Sequence, residues 1–258
     1  MFPGAHLPAH ADKPAVIMGD SGFTQTFAEL DDAANRLSHL FRAAGLRPGD
    51  HIAICMENHD RYLEVVWGCH YAGLDYTCAS SRLQSSELEY IVNDCGAKAF
   101  ITSKYKADQA AEVLGGTPDV DLRLMLDGTI DGYESYEECL AGQPATPLDE
   151  ERIAGTDMLY SSGTTGLPKG ITRPFEAIPL DEAGGAVMGL MQLLFAFDGT
   201  KTYLSPAPFY HAAPLRFCLA AHQLGATIVA MEHFDAEEYL SLVCLLYTSD
   251  AADDDRIV

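Results

Sequence analysis

Basic residues are scarce in this chain. Its 258 residues include 16 Lys and Arg against 38 Asp and Glu, a formal charge of −22, and so acidic a surface excludes the phosphate-neutralising face that nucleic-acid binding requires. No apolar run approaches the ~20 residues of a membrane-spanning helix. Met1 to Asp12 holds no positive cluster followed by an apolar core, so a secretory signal is not expected and a cytoplasmic location is. Cysteines at 55, 69, 78, 95, 139, 218 and 244 form no C-x-x-C pair and no His–Cys cluster at zinc-ligand spacing. That removes redox and zinc motifs and leaves buried free thiols as the expectation. Internal repeats and low-complexity segments are absent as well. What remains is the composition of a globular chain, 48% hydrophobic and 21% charged, long enough to bury a core in one large domain or two smaller ones.

Apolar spacing supplies the architecture. Thr26 and Glu29 read as a capping box that opens a helix whose Leu30, Ala33, Ala34, Leu37, Leu40 and Phe41 share one face. Gly45 and Pro48-Gly49-Asp50 end it. A strand over 51–56, a helix over 58–73 and a strand over 75–78 follow; Ser86 and Glu89 suggest a second capping box for a helix reaching Asn93, and 99–102 is a further strand. Strands alternating with helices at this spacing imply an α/β fold with helices packed on largely parallel sheets and binding loops at the strand C-terminal ends. The Pro- and acid-containing stretch 119–149 reads as a strand at 122–126 and a connector with a short helix. Beyond it, 182–197 is a strongly apolar helix whose Met188, Leu190, Met191, Leu193 and Leu194 are expected to be core. A strand over 201–205, a helix over 214–224 and a strand over 226–231 complete the alternation.

The densest phosphate chemistry lies in Tyr160-Ser161-Ser162-Gly163-Thr164-Thr165-Gly166-Leu167-Pro168-Lys169-Gly170. Glycines at 163, 166 and 170 let backbone N–H groups approach a ligand closely. Hydroxyls of Ser161, Ser162, Thr164 and Thr165 add rotatable donors, and Lys169 adds a mobile positive charge. Gly170, not Ser or Thr, follows the lysine, so the spacing is not that of a P-loop NTPase. In a chain this acidic, polyphosphate binding must come from local donors such as Lys169 and Arg173 and from Mg²⁺ carried on the phosphates, because salt screens the global repulsion only beyond about 10 Å at 0.1 M.

Residue for residue, Tyr160 to Gly170 resembles the signature loop of the adenylate-forming acyl-CoA synthetase superfamily, AMP-binding enzymes that include fatty-acyl-CoA synthetases, coumarate ligases and luciferases. The likeness runs from about Thr26 to Phe234, with Pro208-Phe209-Tyr210-His211 as a second point of contact. It implies the incomplete N-terminal domain of an acyl-CoA synthetase-like fold. It also implies activation of a carboxylic acid, fatty by overall likeness, as an acyl-adenylate that is then transferred to coenzyme A. In such an enzyme Ser161, Ser162, Gly163, Thr164, Thr165, Gly166 and Lys169 would bind ATP. Thr164, Thr165 and Lys169 would act on the departing pyrophosphate, and His211 would orient the carboxylate. ATP, Mg²⁺ and coenzyme A are the implied small molecules. An aryl- or other acid–CoA ligase of the same superfamily and a non-catalytic nucleotide-binding module stay open.

Family members also carry an aromatic-Gly-x-Thr-Glu segment, a ribose-binding aspartate and a C-terminal domain bearing the adenylation lysine, none of which occurs in this sequence. The polypeptide is therefore expected to be inactive alone. Domain 1–243 is expected to be the natural adenylation segment. Cys244 to Asp254 resembles a translated sequencing adapter and fits no helical periodicity, so 244–258 is expected to be a non-native tail.

Overall fold

The computed structural model describes residues 1–161, 168–171 and 174–252. A helical turn, α1 (Leu7–His10), leads into β1 (Pro14–Met18), and β2 (Thr24–Thr26) folds back antiparallel on it. Neither strand carries a pattern long enough to single it out in the sequence. α2 (Phe27–Ala43) begins at the capping box: Thr26 Oγ1 accepts from the Glu29 N–H at 3.2 Å, and the Glu29 carboxylate accepts from the Thr26 N–H at 2.8 Å. Leu30, Ala34, Leu37 and Phe41 on its inner face are fully buried. β3 (His51–Cys55) follows, and then α3 (Tyr62–Ala72). The expected helix over 58–73 thus starts four residues late, because Asn58 to Arg61 form a turn. Gly73 ends it at φ 67°, the left-handed cap that glycine adopts without penalty. α3 is buried on nearly every side, and Leu37 of α2 lies directly over Gly68, so the two helices approach closely.

β4 (Asp75–Cys78), α4 (Ser85–Asp94), β5 (Ala97–Ser103), α5 (Ala107–Val113), β6 (Leu122–Leu126), β7 (Glu134–Ser135) and α6 (Tyr136–Ala141) continue the chain. Helix α4 is capped two residues earlier than Ser86 and Glu89 suggest: the Glu87 carboxylate accepts from the Gln84 N–H at 2.9 Å. Next come β8 (Leu159–Ser161), β9 (Lys169–Ile171), α7 (Ala186–Phe195), β10 (Thr202–Ser205), α8 (Ala212–Gln223), β11 (Thr227–Ala230) and α9 (Ala236–Ala252).

Strands β4-β3-β5-β6-β7 form one parallel sheet and β10-β11-β1-β2 a second, parallel except for the β1–β2 pair. Period-two alternation gives the first sheet two cores. Ile52 and Ile54 of β3 and Leu122, Leu124 and Leu126 of β6 face the core shared with α2, α3 and the second sheet. Ala53, Cys55, Phe100 and Met125 face α4 and α5 on the other side. Helices on both faces bury most of β3, β5 and β6, which is why they read as largely apolar runs.

One expectation is corrected. Of the apolar stripe on α7 only Met191 is buried; Leu193 is 83%, Phe195 64% and Leu194 61% exposed, because no described element packs over that face. Helix α9 spans Ala236–Ala252, and Leu240 and Leu245 along it are exposed. Cys55, Cys69, Cys95 and Cys218 are buried free thiols, Cys78 and Cys139 partly buried ones, and Cys244 is exposed.

Candidate functional site

The glycine-rich loop is mounted on an antiparallel ribbon. Leu159 pairs with Ile171, Tyr160 with Gly170 and Ser161 with Lys169, so the strands framing the loop bond to each other and set Ser161 opposite Lys169 at its mouth. Ser162, Gly163, Thr164, Thr165 and Gly166 lie outside the described residues, as do Leu167 and Arg173. A Cβ at Gly170 would meet the Met158 methyl and the Tyr160 ring; glycine there lets the aromatic ring cross the ribbon. The Tyr160 hydroxyl donates to Asp94 Oδ2 at 2.6 Å, pinning the ribbon to the end of α4. Burial and the adjacent Asp94 carboxylate hold that phenol protonated.

The lead-in to the ribbon borders β4. Tyr76 N–H donates to Thr156 O at 3.0 Å and Met158 N–H to Tyr76 O at 2.8 Å. One residue earlier in this segment than Met158, Asp157 accepts a bidentate pair from Arg216 of α8, at 3.0 Å from Nε and 3.1 Å from the guanidinium terminus. That pair ties the ribbon to α8 in the planar geometry arginine favours.

His211 is exposed at the N-terminus of α8, its ring 4.5 Å centroid to centroid from Tyr210. Phe209 just before it is 1% exposed, with its ring 5.3 Å from that of Tyr62. A cavity of about 440 Å³ lies between the sheets, within the range of small-molecule sites. Tyr210 and His211 form one wall, Thr77 to Ser80 at the C-terminal end of β4 another, and Tyr160, Pro168 and Ile171 the ribbon side. Sequence reasoning missed the β4 wall, although its position at a strand C-terminal end is where a parallel sheet places ligands. Cys78 in this wall has its thiol pushed up to about 12 by burial, so it stays protonated and is no nucleophile.

Among the described residues the lining of this cavity contains no Asp or Glu. A second cavity, about 570 Å³ between α3, α7 and α8, is bordered by Asp75, Asp157, Glu176 and Glu182 and by none of the sequence-predicted site residues. Arg216, the partner of Asp157, borders the second cavity as well, so its charge is mixed, whereas the described lining of the first presents no acid. Lys169 is exposed on the ribbon outside the cavity lining. No group of three or more His, Cys, Asp or Glu among the described residues could hold a metal ion by itself.

A sequence model of the AMP-binding enzyme family matches residues 5–246. The chain belongs to that family. Among curated AMP-binding enzymes it is 31% identical to a medium/long-chain-fatty-acid–CoA and 3-oxocholest-4-en-26-oate–CoA ligase of Mycobacterium tuberculosis, covering 96% of this chain and 50% of the relative. It is 29% identical to a feruloyl-CoA synthase of an Amycolatopsis species, over 89% of this chain and 43% of that protein. The chain thus spans about half the length of the curated relatives it matches. The inhibitor-bound N-terminal domain of FACL13 from Mycobacterium tuberculosis superposes with a TM-score of 0.79 at 22% identity, over 93% of this chain and 58% of that one. This AMP-binding enzyme is an α/β protein of the adenylate-forming acid–CoA ligase superfamily, with the parallel-sheet fold of that N-terminal domain. No helix among the described residues is long and apolar enough to cross a membrane.

Proposed function

We propose that this chain forms the acid- and phosphate-binding part of an ATP-dependent ligase that activates a fatty acid and passes it to coenzyme A. The observation that carries the reading is a cavity, without acids among its described lining residues, that His211 lines together with Tyr160 and Pro168, the two flanks of the glycine-rich loop. A carboxylate entering there would meet His211 and the N-terminus of α8, whose unpaired N–H groups favour negative charge. Its oxygen would attack the α-phosphorus of ATP, breaking the bond to pyrophosphate. The hydroxyls of Ser161, Ser162, Thr164 and Thr165, the backbone around Gly163 and Gly166, and the Lys169 ammonium would stabilise the charge leaving with pyrophosphate, an interaction strongest in the transition state. Coenzyme A sulfur would then attack the acyl carbon and AMP would depart. Mg²⁺ would arrive on the ATP phosphates; Thr164 and Thr165 supply the oxygen donors it prefers.

A second reading is favoured by the 29% identity to a feruloyl-CoA synthase: the same cavity would take an aryl acid. Calorimetric titration with the dodecyl ester of AMP and with the feruloyl analogue separates the two, the tighter ligand naming the acid class. Lys169→Ala is expected to weaken ATP binding about tenfold, in line with loss of a charge-assisted contact; equal affinity in both proteins would refute a phosphate-binding loop. The 258-residue chain alone is expected to release no pyrophosphate when given ATP, Mg²⁺ and a fatty acid, and release above background would overturn that.

A further inference from the structure

Three successive residues leave the C-terminal end of β3 and reach three different strand ends. Glu57 accepts from Ser103 Oγ at 2.6 Å, at the end of β5. His59 Nε2 lies 2.9 Å from Asp127 Oδ2, just past β6. Asn58, between them, turns to the other sheet: its Oδ1 accepts from the Phe209 N–H at 2.8 Å, and its Nδ2 donates to Met231 O at 2.8 Å and to Ala207 O at 3.3 Å. Two of the three residues fasten this turn to the first sheet, and the third grips the loops that follow β10 and β11 in the second.

Asn58 is only 8% exposed and Phe209 1%, so these bonds form away from water, where an unpaired backbone group is costly. One planar amide supplies an acceptor and two donors, and all are used here. Aspartate would face the Met231 and Ala207 carbonyls with a carboxylate, and an apolar residue would strand the Phe209 N–H. The consequence falls on the cavity. Its β4 wall belongs to the first sheet, whereas Tyr210 and His211 follow Phe209 directly and belong to the second. The spacing between the two walls is thus set where Asn58 joins them.

We propose that Asn58 is a positioning residue for His211: by holding the Phe209 amide it fixes the histidine loop against the β4 wall. The role in ligand binding rests on the reading of this cavity as the acid site. Asn58 touches no part of the cavity lining itself and acts through the loop.

The test uses the whole chain and two readouts. Amide exchange by NMR is expected to be at least about tenfold faster at Phe209 in Asn58→Ala than in the wild type, with Ile101 in β5 unchanged, as for a local opening. Calorimetric titration with the dodecyl ester of AMP is expected to show about tenfold weaker binding in Asn58→Ala. In a His211→Ala background the same substitution should cost less than about twofold, the non-additivity of a residue acting through another. Unchanged exchange at Phe209, or effects of the two substitutions that simply add, would overturn the proposal. If Asn58→Ala does not fold, Asn58→Asp carries the test: it keeps the acceptor for Phe209 and sets a carboxylate against two carbonyls, and additivity with His211→Ala again counts against the role. Absence of binding by the wild type would sink the functional reading alone, and Phe209 exchange would then decide whether Asn58 holds the loop.

Discussion

His59 makes the fold's stability depend on pH in a direction that can be worked out. Its Nδ1 lies 2.8 Å from Asp60 Oδ1 and its Nε2 2.9 Å from Asp127 Oδ2. The Arg61 N–H also points at Nδ1, at 3.1 Å, a contact that serves a neutral ring; two carboxylate oxygens inside 3 Å outweigh one amide. Burial by itself lowers the affinity of this imidazole for a proton, but hydrogen bonds and charge from Asp60 and Asp127 outweigh it and hold the value up at about 9. A group whose folded value exceeds its unfolded 6.5 contributes stability that is complete below pH 6.5 and is lost as pH rises through about 9. That difference corresponds to roughly 3 kcal/mol at full strength. Asp127 is 63% exposed, so solvent screens part of it and about 2 kcal/mol is expected. In a chain of this length that corresponds to a fall of about 4–8 °C in melting temperature.

Circular-dichroism melts at pH 6.5, 8 and 9.5, on the wild type and on His59→Gln, measure it. Buried thiols give a fall of the same sign at the alkaline end: Cys55, Cys78 and Cys218 are each pushed up to about 12 by burial, so they ionise earlier in the unfolded chain. Only the difference between the two proteins therefore isolates the histidine. The wild type should be the more stable at pH 6.5, with the gap closing by pH 9.5. Parallel curves across that range would refute the ion-pair account.

On the acid side His222 behaves oppositely. Burial lowers it to about 4, while Trp67 Nε1–H donates to its Nδ1 at 3.0 Å and its Nε2 faces Ala15 O at 3.1 Å. Its contribution is complete above pH 6.5 and lost as pH falls through about 4, so His222→Gln, which can keep both bonds, should reduce the acid destabilisation by about 1–3 kcal/mol in urea titrations at pH 7 and 4.5. At Gly155 a Cβ would land on the Leu74 and Cys69 carbonyl oxygens, and Gly155→Ala is expected to cost about 2–4 kcal/mol by urea denaturation, since backbone cannot step aside. Replacing Leu193 and Phe195 by Glu should leave unfolding free energy within about 0.5 kcal/mol and lower light scattering, because both are exposed.

How far the sequence could be read follows the range of the forces involved. Capping at Thr26, the αL stop at Gly73 and the parallel strands from 51 to 126 are local or periodic, and the structure has them close to where the pattern puts them. Burial of α7 was not legible: a Met- and Leu-rich stripe shows that a face is apolar, and whether anything covers it depends on elements elsewhere in the chain. β1 and β2 escaped because three to five residues carry too little alternation. Asn58 escaped for another reason: a polar residue in a turn reads as a surface residue, and its partners lie 149 to 173 positions away.

The acidity of the chain and the anionic chemistry of its family are reconciled by where the carboxylates point. At −22 the molecule repels phosphate at long range, yet salt at physiological strength screens that field within about 8 Å, so the nearest groups decide. No described residue lining the first cavity is acidic; of the acids on the neighbouring elements, Asp157 is paired bidentately with Arg216 and Asp94 accepts from Tyr160. The tyrosine that starts the loop does two jobs: its ring packs across Gly170 to set the ribbon, and its hydroxyl donates to Asp94 at the end of α4. On the proposed reading of this cavity, an anion would be admitted less by added positive charge than by the lack of acids in its described lining.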